Sequence, residues 1–561
     1  MSTVRELFDA ALLAQQAGQL DQAVARYEQV LAIAPDDLPA RANRALALAQ
    51  LGRHEAASIA FAEALALQPN DPALRQNLVV TALNAGTTLL DQGRPAAAAD
   101  AFRRAAAAAP DHTAAHGNLG LALAQLGELD AAIAALRAAL ALAPDDARLR
   151  YNLGNALREQ GRLDEALDAY RTALAVQPDF IDALCQVGSL ERLRSAPHAA
   201  LIAFEAAAAA DPRSAMAQLG LGGALHDLGR LPEAVAAFRR AQALDPADGE
   251  AQRSEALSLL LHGDYARGWE MFEWRWRTTD MSLRRLDANP WRGEPLGGRT
   301  ILLYAEQGIG DTIQFARFVP EVAARGGRVV LQAQRPLLGL LESLDGVDRL
   351  IAARQAPPAF DVQAPLLSLP WILGTRLDTI PARVPYLAAD PARTARGAAR
   401  IGTGAGRAPP PPPPGNPRHL RDRVRSLPAP RLAPLLRHHA RWFSLQVGAA
   451  ADAHALPPGP ITDLAPELAD FSATAAAIAA LDLVIAVDTA VAHLAGALGK
   501  PVWLLLPFSP DYRWLLGRDD SPWYPTMRLF RQPSPGDWDS VVAQVGAALE
   551  APAPSPGDST A

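Results

Sequence analysis

The sequence predicts a multidomain protein in which an all-α solenoid of helical hairpins precedes a two-lobed α/β domain. Prolines recur at intervals of 34, 41, 34, 34, 34 and 34 residues, a period typical of repeat solenoids. Every tryptophan lies at or beyond Trp269, which indicates a change of domain there. Short apolar runs then alternate with helical patterns, as in parallel α/β sheets. The periodic prolines are Pro35, Pro69, Pro110, Pro144, Pro178, Pro212 and Pro246.

Three further columns keep the period of the prolines. A glycine can end the first helix of each hairpin in the left-handed conformation, a small residue lets the second helix approach closely, and a bulky residue fills the groove. The glycine column is Gly18, Gly52, Gly93, Gly127, Gly161, Gly229 and Gly263, with Ser195 in the remaining place. The small column is Ala23, Ala57, Ala98, Ala132, Ala166, Ala200, Ala234 and Gly268, and the bulky column is Tyr27, Phe61, Phe102, Leu136, Tyr170, Phe204, Phe238 and Phe272.

These columns resemble the tetratricopeptide repeat family over roughly residues 4–276. The resemblance implies about eight hairpins within residues 1–278 and a concave face that binds a protein or peptide. Extra residues near Pro72–Leu78 are expected to lengthen a helix or a loop. The aromatic residues of Gly268–Trp276 are expected to cover the open end of the solenoid and pack on the second domain; the alternative is that they stack on a ligand.

Composition excludes several other classes of protein. The net charge of −7 does not favour nucleic acid as a partner. The single cysteine, Cys185, rules out an intrachain disulfide and is predicted to be a small buried apolar residue. We expect no signal peptide, no membrane-spanning segment, no metal site and no cofactor, and therefore a cytoplasmic protein.

The second half divides into two predicted lobes. A connector, 279–298, leads to an N-terminal α/β lobe at 299–387, with strands at Ile301–Ala305, Val329–Leu331 and Arg349–Ala352. A Pro/Gly-rich irregular linker is predicted at 388–417. A C-terminal α/β lobe at 418–549 has strands at Trp442–Gln446, Leu483–Val487 and Val502–Leu506, and a disordered tail is predicted at 550–561.

The strongest chemical motif lies in the C-terminal lobe. The buried strand Leu483–Val487 delivers Asp488 and Thr489 at its carboxyl end, and a helix begins at once. The free N–H groups of such a helix favour a phosphate, and His493 lies one turn further on the same side. The alternative is that Asp488 or Thr489 simply caps the helix and His493 is a packed core residue.

Two other segments could contribute to the same chemistry. Gly310 and Asp311 follow the strand Ile301–Ala305, which places a carboxylate where it could accept a proton from a hydroxyl. The alternative for Asp311 is an N-cap beside two turn glycines. The basic segment Gly415–Ser426, which begins with Gly415 and Asn416, could grip a diphosphate or be an ordinary solvated loop.

The segment Leu481–Pro501 resembles the donor-binding motif of glycosyltransferase family nine, heptosyltransferase-like proteins of the GT-B fold. The resemblance implies that Asp488, Thr489 and His493 hold the diphosphate of a nucleotide sugar, with Gly310, Gly415 and Asn416 nearby, and that Asp311 is the base. The whole chain resembles bacterial fusions of tetratricopeptide repeats with such a domain. The expected function is inverting transfer of a sugar from a nucleotide-diphosphate donor, which is a substrate and not a cofactor.

The competing hypothesis is a non-catalytic repeat scaffold with a degenerate glycosyltransferase domain that mediates protein–protein interaction. This hypothesis is based on the run Pro409–Pro414, which lies at the position where the resembled family has an apolar strand. Consecutive prolines lack backbone N–H donors and cannot form an interior strand. We therefore expect an irregular stretch there and impaired donor binding.

Overall fold

The computed structural model describes residues 2–278, 289–401, 407–408, 427–447 and 460–551. Residues 2–272 form consecutive helices that pack as antiparallel pairs. The helices are Ser2–Gln16 (α1), Leu20–Ile33 (α2), Leu38–Gln50 (α3), His54–Leu67 (α4), Pro72–Asp91 (α5), Pro95–Ala108 (α6), Thr113–Gln125 (α7), Leu129–Leu142 (α8), Ala147–Glu159 (α9), Leu163–Val176 (α10), Ile181–Leu193 (α11), Pro197–Ala210 (α12), Ala215–Asp227 (α13), Leu231–Leu244 (α14), Gly249–His262 (α15) and Tyr265–Phe272 (α16).

The residues of the repeat columns have the backbone conformation and the burial that the sequence predicts. Every glycine of the glycine column has a positive φ, from 68° at Gly93 to 91° at Gly263, and Ser195 adopts the same conformation at 61°. All seven alanines of the small column are 0% exposed, and the bulky column is at most 5% exposed. The predicted all-α repeat solenoid is confirmed, and the seven extra residues of the third unit lengthen a helix, α5, to 20 residues.

The chain forms two compact units, Met1–Leu190 and Glu191–Ala561. This boundary differs from the one predicted at residue 278, because the last repeats pack on the α/β region. The Trp269 ring of α16 lies 5.9 Å from Phe315, 5.7 Å from Tyr512 and 6.4 Å from Trp523, measured between ring centroids. Packing of Trp269 on the α/β region is thus confirmed, and a cut at residue 278 would pass through a buried aromatic core.

Parallel strands build the α/β region of the second unit. They are Asn289–Pro290 (β1), Thr300–Tyr304 (β2), Arg328–Ala333 (β3), Arg349–Ala352 (β4), Val362–Pro365 (β5), Arg407–Ala408 (β6), Trp442–Ser444 (β7), Ile461–Asp463 (β8), Leu483–Val487 (β9), Val502–Leu506 (β10) and Met527–Arg531 (β11). One sheet has the order β1-β5-β2-β3-β4, a second has the order β11-β10-β9-β6, and β7 pairs with β8. The predicted α/β class is confirmed.

Helices connect these strands. They are Ile309–Phe315 (α17), Val319–Ala323 (α18), Leu338–Leu341 (α19), Leu369–Ile372 (α20), Pro391–Ile401 (α21), Phe471–Ala479 (α22), Ala490–Ala497 (α23) and Trp538–Glu550 (α24). Strands β2 and β9 are fully buried, which fits strands covered on both faces. The helix α23 lies against α17, so the two parallel sheets meet through these short helices.

The predicted irregular linker is wrong for residues 391–401, which form α21. Arg393 of this helix donates to Asp470 at 3.0 Å, and Asp390 accepts from the backbone N–H of Arg393 at the helix start. After it, β6 is a two-residue edge strand paired with β9. The run Pro409–Pro414, the connector residues 279–288 and the tail 552–561 lie outside the described residues, so those predictions stay predictions.

Two whole-chain features complete the fold. Among the described residues, no helix combines the length and apolarity needed to cross a membrane. Cys185 is 1% exposed, and burial raises the pKa of its thiol to about 12. A thiol of that kind is a core residue and not a nucleophile, as predicted.

Candidate functional site

The carboxyl end of β9 places the predicted donor motif. Asp488 follows the strand directly, and Thr489 occupies the N-cap position of α23 with extended backbone. The Thr489 hydroxyl donates to the carbonyl of Val487 at 3.3 Å and does not accept from the helix. The capping alternative therefore does not hold for the Thr489 side chain, and the first N–H groups of α23 are not taken by it.

His493 lies inside the same helix with two side-chain partners. Its Nδ1 lies 3.0 Å from the Tyr524 hydroxyl, and its Nε2 lies 3.6 Å from Asp488 Oδ1. The imidazole stacks on the Trp514 ring at 5.5 Å between centroids and is 4% exposed. His493 is therefore a packed histidine whose Nε2 faces the motif's carboxylate, so the two hypotheses for this residue are compatible.

The second predicted motif meets the first. A Cβ at Gly310 would lie 3.0 Å from Cδ2 of His493 and 3.5 Å from the Ala490 Cα, so glycine suits the close approach of α17 and α23 and a larger residue would press on His493. Asp311 Oδ2 accepts from the backbone N–H of Gly308 at 2.9 Å. Gly308 is the N-cap of α17 and Asp311 is the third residue of the helix, so the predicted N-cap role of Asp311 is wrong. The carboxyl ends of two different parallel sheets thus converge on one place.

Arg513 joins these motifs and was not predicted. Its Nη2 donates to Asp311 Oδ1, its Nη1 donates to Asp511 Oδ1 at 2.8 Å, and its Nε donates to the side-chain carbonyl of Gln314. The guanidinium group comes from the turn after β10, the strand beside β9. We call Asp311, Asp488, His493, Asp511 and Arg513 the Arg513 cluster.

Burial and charge set the electrostatics of the Arg513 cluster. Burial alone would raise the pKa of Asp488, but its hydrogen bond to His493 and the charges of His493 and Arg513 outweigh it, so the pKa is lowered. Burial raises the pKa of Asp511, and the attraction of Arg513 only partly opposes this. The surrounding carboxylates outweigh burial at Arg513 and hold the pKa of its guanidinium well above the usual value.

A second buried ion pair lies near the cluster and includes Glu306, in the loop between β2 and α17. Arg275 Nη2 donates to Glu306 Oε1 at 3.0 Å and to the Ser368 hydroxyl at 2.7 Å. The other oxygen of Glu306 is buried without a hydrogen-bond partner among the described residues. Burial raises the pKa of Glu306 to about 7, and the nearby Arg275 only partly offsets that effect.

The structure brings together five of the seven predicted site residues: Gly310, Asp311, Asp488, Thr489 and His493. Gly415 and Asn416 lie outside the described residues. Arg513 and Asp511 were missed, although a polar Asp-Tyr-Arg sequence shortly after the correctly predicted strand Val502–Leu506 was a usable signal. In the described part of the chain, no group of three or more His, Cys, Asp or Glu side chains is arranged to hold a metal ion.

Family models match both halves of the chain. Tetratricopeptide repeat models match residues 14–79, 83–147, 126–179, 192–249 and 227–268. The model of glycosyltransferase family 9 (heptosyltransferase) matches residues 446–506, which include β9, Asp488, Thr489 and His493. The chain therefore contains tetratricopeptide repeats, and a segment of its C-terminal region is similar to glycosyltransferase family 9.

A curated relative has a related sequence over part of its length. Protein FlbA of Caulobacter vibrioides is 29% identical over 330 residues, which are 53% of this chain and 54% of FlbA. The chain thus spans about half the length of this relative. Among solved structures, Pseudomonas aeruginosa PilF has a TM-score of 0.34 at 19% identity, covering 37% of this chain and 95% of PilF. YrrB, described as a repeat protein with an unusual peptide-binding site, has a TM-score of 0.29 at 23% identity, covering 32% and 92%.

Proposed function

We propose that this chain transfers a sugar from a nucleotide-diphosphate donor to an acceptor held by the repeats. The observation that carries the proposal is the contact between Gly310–Asp311, after β2, and the motif Asp488–His493, after β9. Ligands of parallel α/β folds bind at the carboxyl ends of strands. The family 9 match over residues 446–506 supports the nature of the donor.

Each side chain has a role in this proposal. The N–H groups of α23 and the Thr489 hydroxyl hold the diphosphate, and Asp488 fixes His493 beside it. Asp311 accepts the proton of the acceptor hydroxyl while that oxygen attacks the anomeric carbon. One direct displacement inverts the anomeric centre. Gly415 and Asn416 complete the donor site of a two-lobed GT-B-like domain, and a protein or peptide acceptor binds the concave face of the repeats in the cytoplasm.

A thermal-shift screen tests the proposal. A ligand that binds only the folded state raises the apparent melting temperature. We expect one nucleotide-diphosphate sugar of a panel to raise it, and the Asp488→Asn variant to lose that shift. If no donor changes the melting temperature of the parent chain, the donor site is not functional.

The scaffold hypothesis has one observation in its favour. In the described part of the chain, β6 pairs with β9 through Arg407 and Ala408, directly before the proline run. Prolines have no backbone N–H with which to extend that pairing, which would leave the sheet incomplete and weaken donor binding. The same panel separates the two hypotheses, because a scaffold binds no nucleotide sugar.

A further inference from the structure

The Arg513 cluster has an excess of negative charge. Three carboxylates, from Asp311, Asp488 and Asp511, act on the guanidinium of Arg513. Such a site repels a diphosphate unless a cation is turned towards it. Among the described residues of the cluster, Arg513 supplies the permanent positive charge, since His493 is charged only when protonated.

Arg513 also donates a hydrogen bond to Asp311, the proposed base. One oxygen of Asp311 accepts from Arg513 and the other from the backbone of Gly308. A carboxylate with both oxygens engaged is a poor proton acceptor for an incoming hydroxyl. The guanidinium, with its side chain 9% exposed, can bind a phosphate in the same two-bond geometry that it uses for carboxylates.

We propose that Arg513 is a donor-binding residue that leaves Asp311 for the donor's diphosphate and thereby frees Asp311 to act as the base. This inference rests on the proposed function. The acceptor O–H proton moves to Asp311, and the acceptor oxygen bonds to the anomeric carbon. The bond from that carbon to the diphosphate oxygen breaks, and its electron pair leaves with the nucleoside diphosphate, whose charge Arg513 neutralises. The donor must then bind before the acceptor is activated.

The test is a double-mutant cycle on the full chain, with Asp311→Asn, Arg513→Gln and the double variant. Binding of UDP, GDP, ADP, dTDP and inorganic pyrophosphate is measured by calorimetry. We expect Asp311→Asn to bind the same diphosphate as the parent, with an affinity at least about three-fold higher, because the substitution releases Arg513. Arg513→Gln weakens binding about ten-fold or more, since a charged pair is lost.

The double-mutant cycle distinguishes movement of Arg513 from Asp311 to the diphosphate from simple removal of the negative charge of Asp311. If Arg513 moves between the two anions, the gain from Asp311→Asn shrinks or disappears in the Arg513→Gln background. An equal gain in both backgrounds means that only a repelling charge was removed, and the exchange is wrong. Equal affinity of parent and Arg513→Gln also overturns it. A parent that binds no probe overturns both this inference and the proposed function.

Two controls keep the result interpretable. Arg518→Gln removes another arginine of the same loop, whose side chain is 29% exposed and pairs with Asp520, and it should leave binding unchanged. Arg513→Lys keeps the charge and should bind more weakly than the parent but more tightly than Arg513→Gln. If Arg513→Gln does not fold by circular dichroism, Asp311→Asn and the lysine variant decide.

Discussion

At His493, one imidazole lies between a tyrosine hydroxyl, to which it is hydrogen-bonded, and a carboxylate. Tyr524 lies on the Nδ1 side at 3.0 Å, and Asp488 lies on the Nε2 side at 3.6 Å. The Tyr524 ring is itself held by the buried Arg317, whose guanidinium carbon lies 4.4 Å from the ring centroid. The orientation of His493 therefore depends on residues far from the motif in sequence.

We expect Tyr524→Phe to weaken donor binding several-fold while preserving the fold, because it removes only the hydroxyl. His493→Ala should abolish donor binding and also lower the melting temperature, since a buried ring is lost. Calorimetry and thermal denaturation measure the two effects. Unchanged donor affinity in both variants would mean that the imidazole does not serve the donor.

The raised pKa of Glu306 implies that the free energy of unfolding depends on pH. Its folded pKa of about 7 lies above its ordinary value of 4.5, so the folded chain binds more protons between these values. The contribution of Glu306 to the free energy of unfolding is therefore fully present below pH 4.5 and is lost as the pH rises through about 7. Glu306→Gln mimics the protonated acid. Relative to the parent, its free energy of unfolding should gain roughly 3 kcal/mol from pH 4 to pH 8.

Urea unfolding at both pH values measures this difference. Glu321→Gln is a control on α18. Burial raises the pKa of that carboxyl group too, but the residue is exposed to solvent, so the change should be smaller. A parent and Glu306→Gln variant with parallel pH profiles would show that Glu306 is ionised throughout.

Among the elements, the turn between α11 and α12 departs from the repeat pattern. Ser195 has φ = 61° where the other repeats have glycine. A left-handed conformation costs a residue with a Cβ roughly 1–2 kcal/mol, while glycine loses more chain entropy on folding. Ser195→Gly should therefore raise the free energy of unfolding by about 0.5–1 kcal/mol.

The matched control is Gly161→Ser, the reverse change at an equivalent turn with φ = 82°, where an added Cβ would meet no atom within 4 Å. It should lower the free energy of unfolding by about 1 kcal/mol. Denaturant unfolding monitored by circular dichroism reports both changes. The same sign for both variants would contradict this explanation of the turns.

The sequence predicts correctly the bounds of strands that are marked by a local pattern of apolar residues. The strands β4, β9 and β10 have the predicted bounds because each is a short apolar run between turn signals. The strand β11 was missed because Arg528 and Arg531 interrupt its apolar run. Arg513 was missed because its partners Asp311 and Gln314 lie about 200 residues away, so only the fold brings them together.

At the scale of the whole molecule, the last repeats belong to the α/β unit. Trp269 and Tyr265 of α16 pack on Trp523, and the Trp523 indole N–H donates to the Tyr265 hydroxyl at 3.2 Å. The sequence change at Trp269 was visible in advance. The composition change predicts a boundary at residue 278, whereas the division into compact units falls between Leu190 and Glu191, because aromatic packing joins the last repeats to the α/β region.

A fragment of residues 194–561 should fold as a monomer, whereas a fragment of residues 279–561 should aggregate or bind an apolar dye. The shorter fragment exposes the faces of Phe315, Tyr512 and Trp523 that Trp269 covers, and contiguous apolar patches promote association. Size-exclusion chromatography and dye fluorescence measure this. A stable, monomeric 279–561 fragment would restore the predicted boundary at residue 278.

The central claim is that the convergence of β2 and β9 forms a donor site, and calorimetric titration of the full chain with nucleotide-diphosphate sugars tests it most directly. We expect saturable binding of one donor by the parent and by Asp482→Asn, an exposed aspartate at the opposite end of β9, and loss of binding in Asp488→Asn. Equal binding by parent and Asp488→Asn, or no binding of any donor by the parent, would contradict the claim.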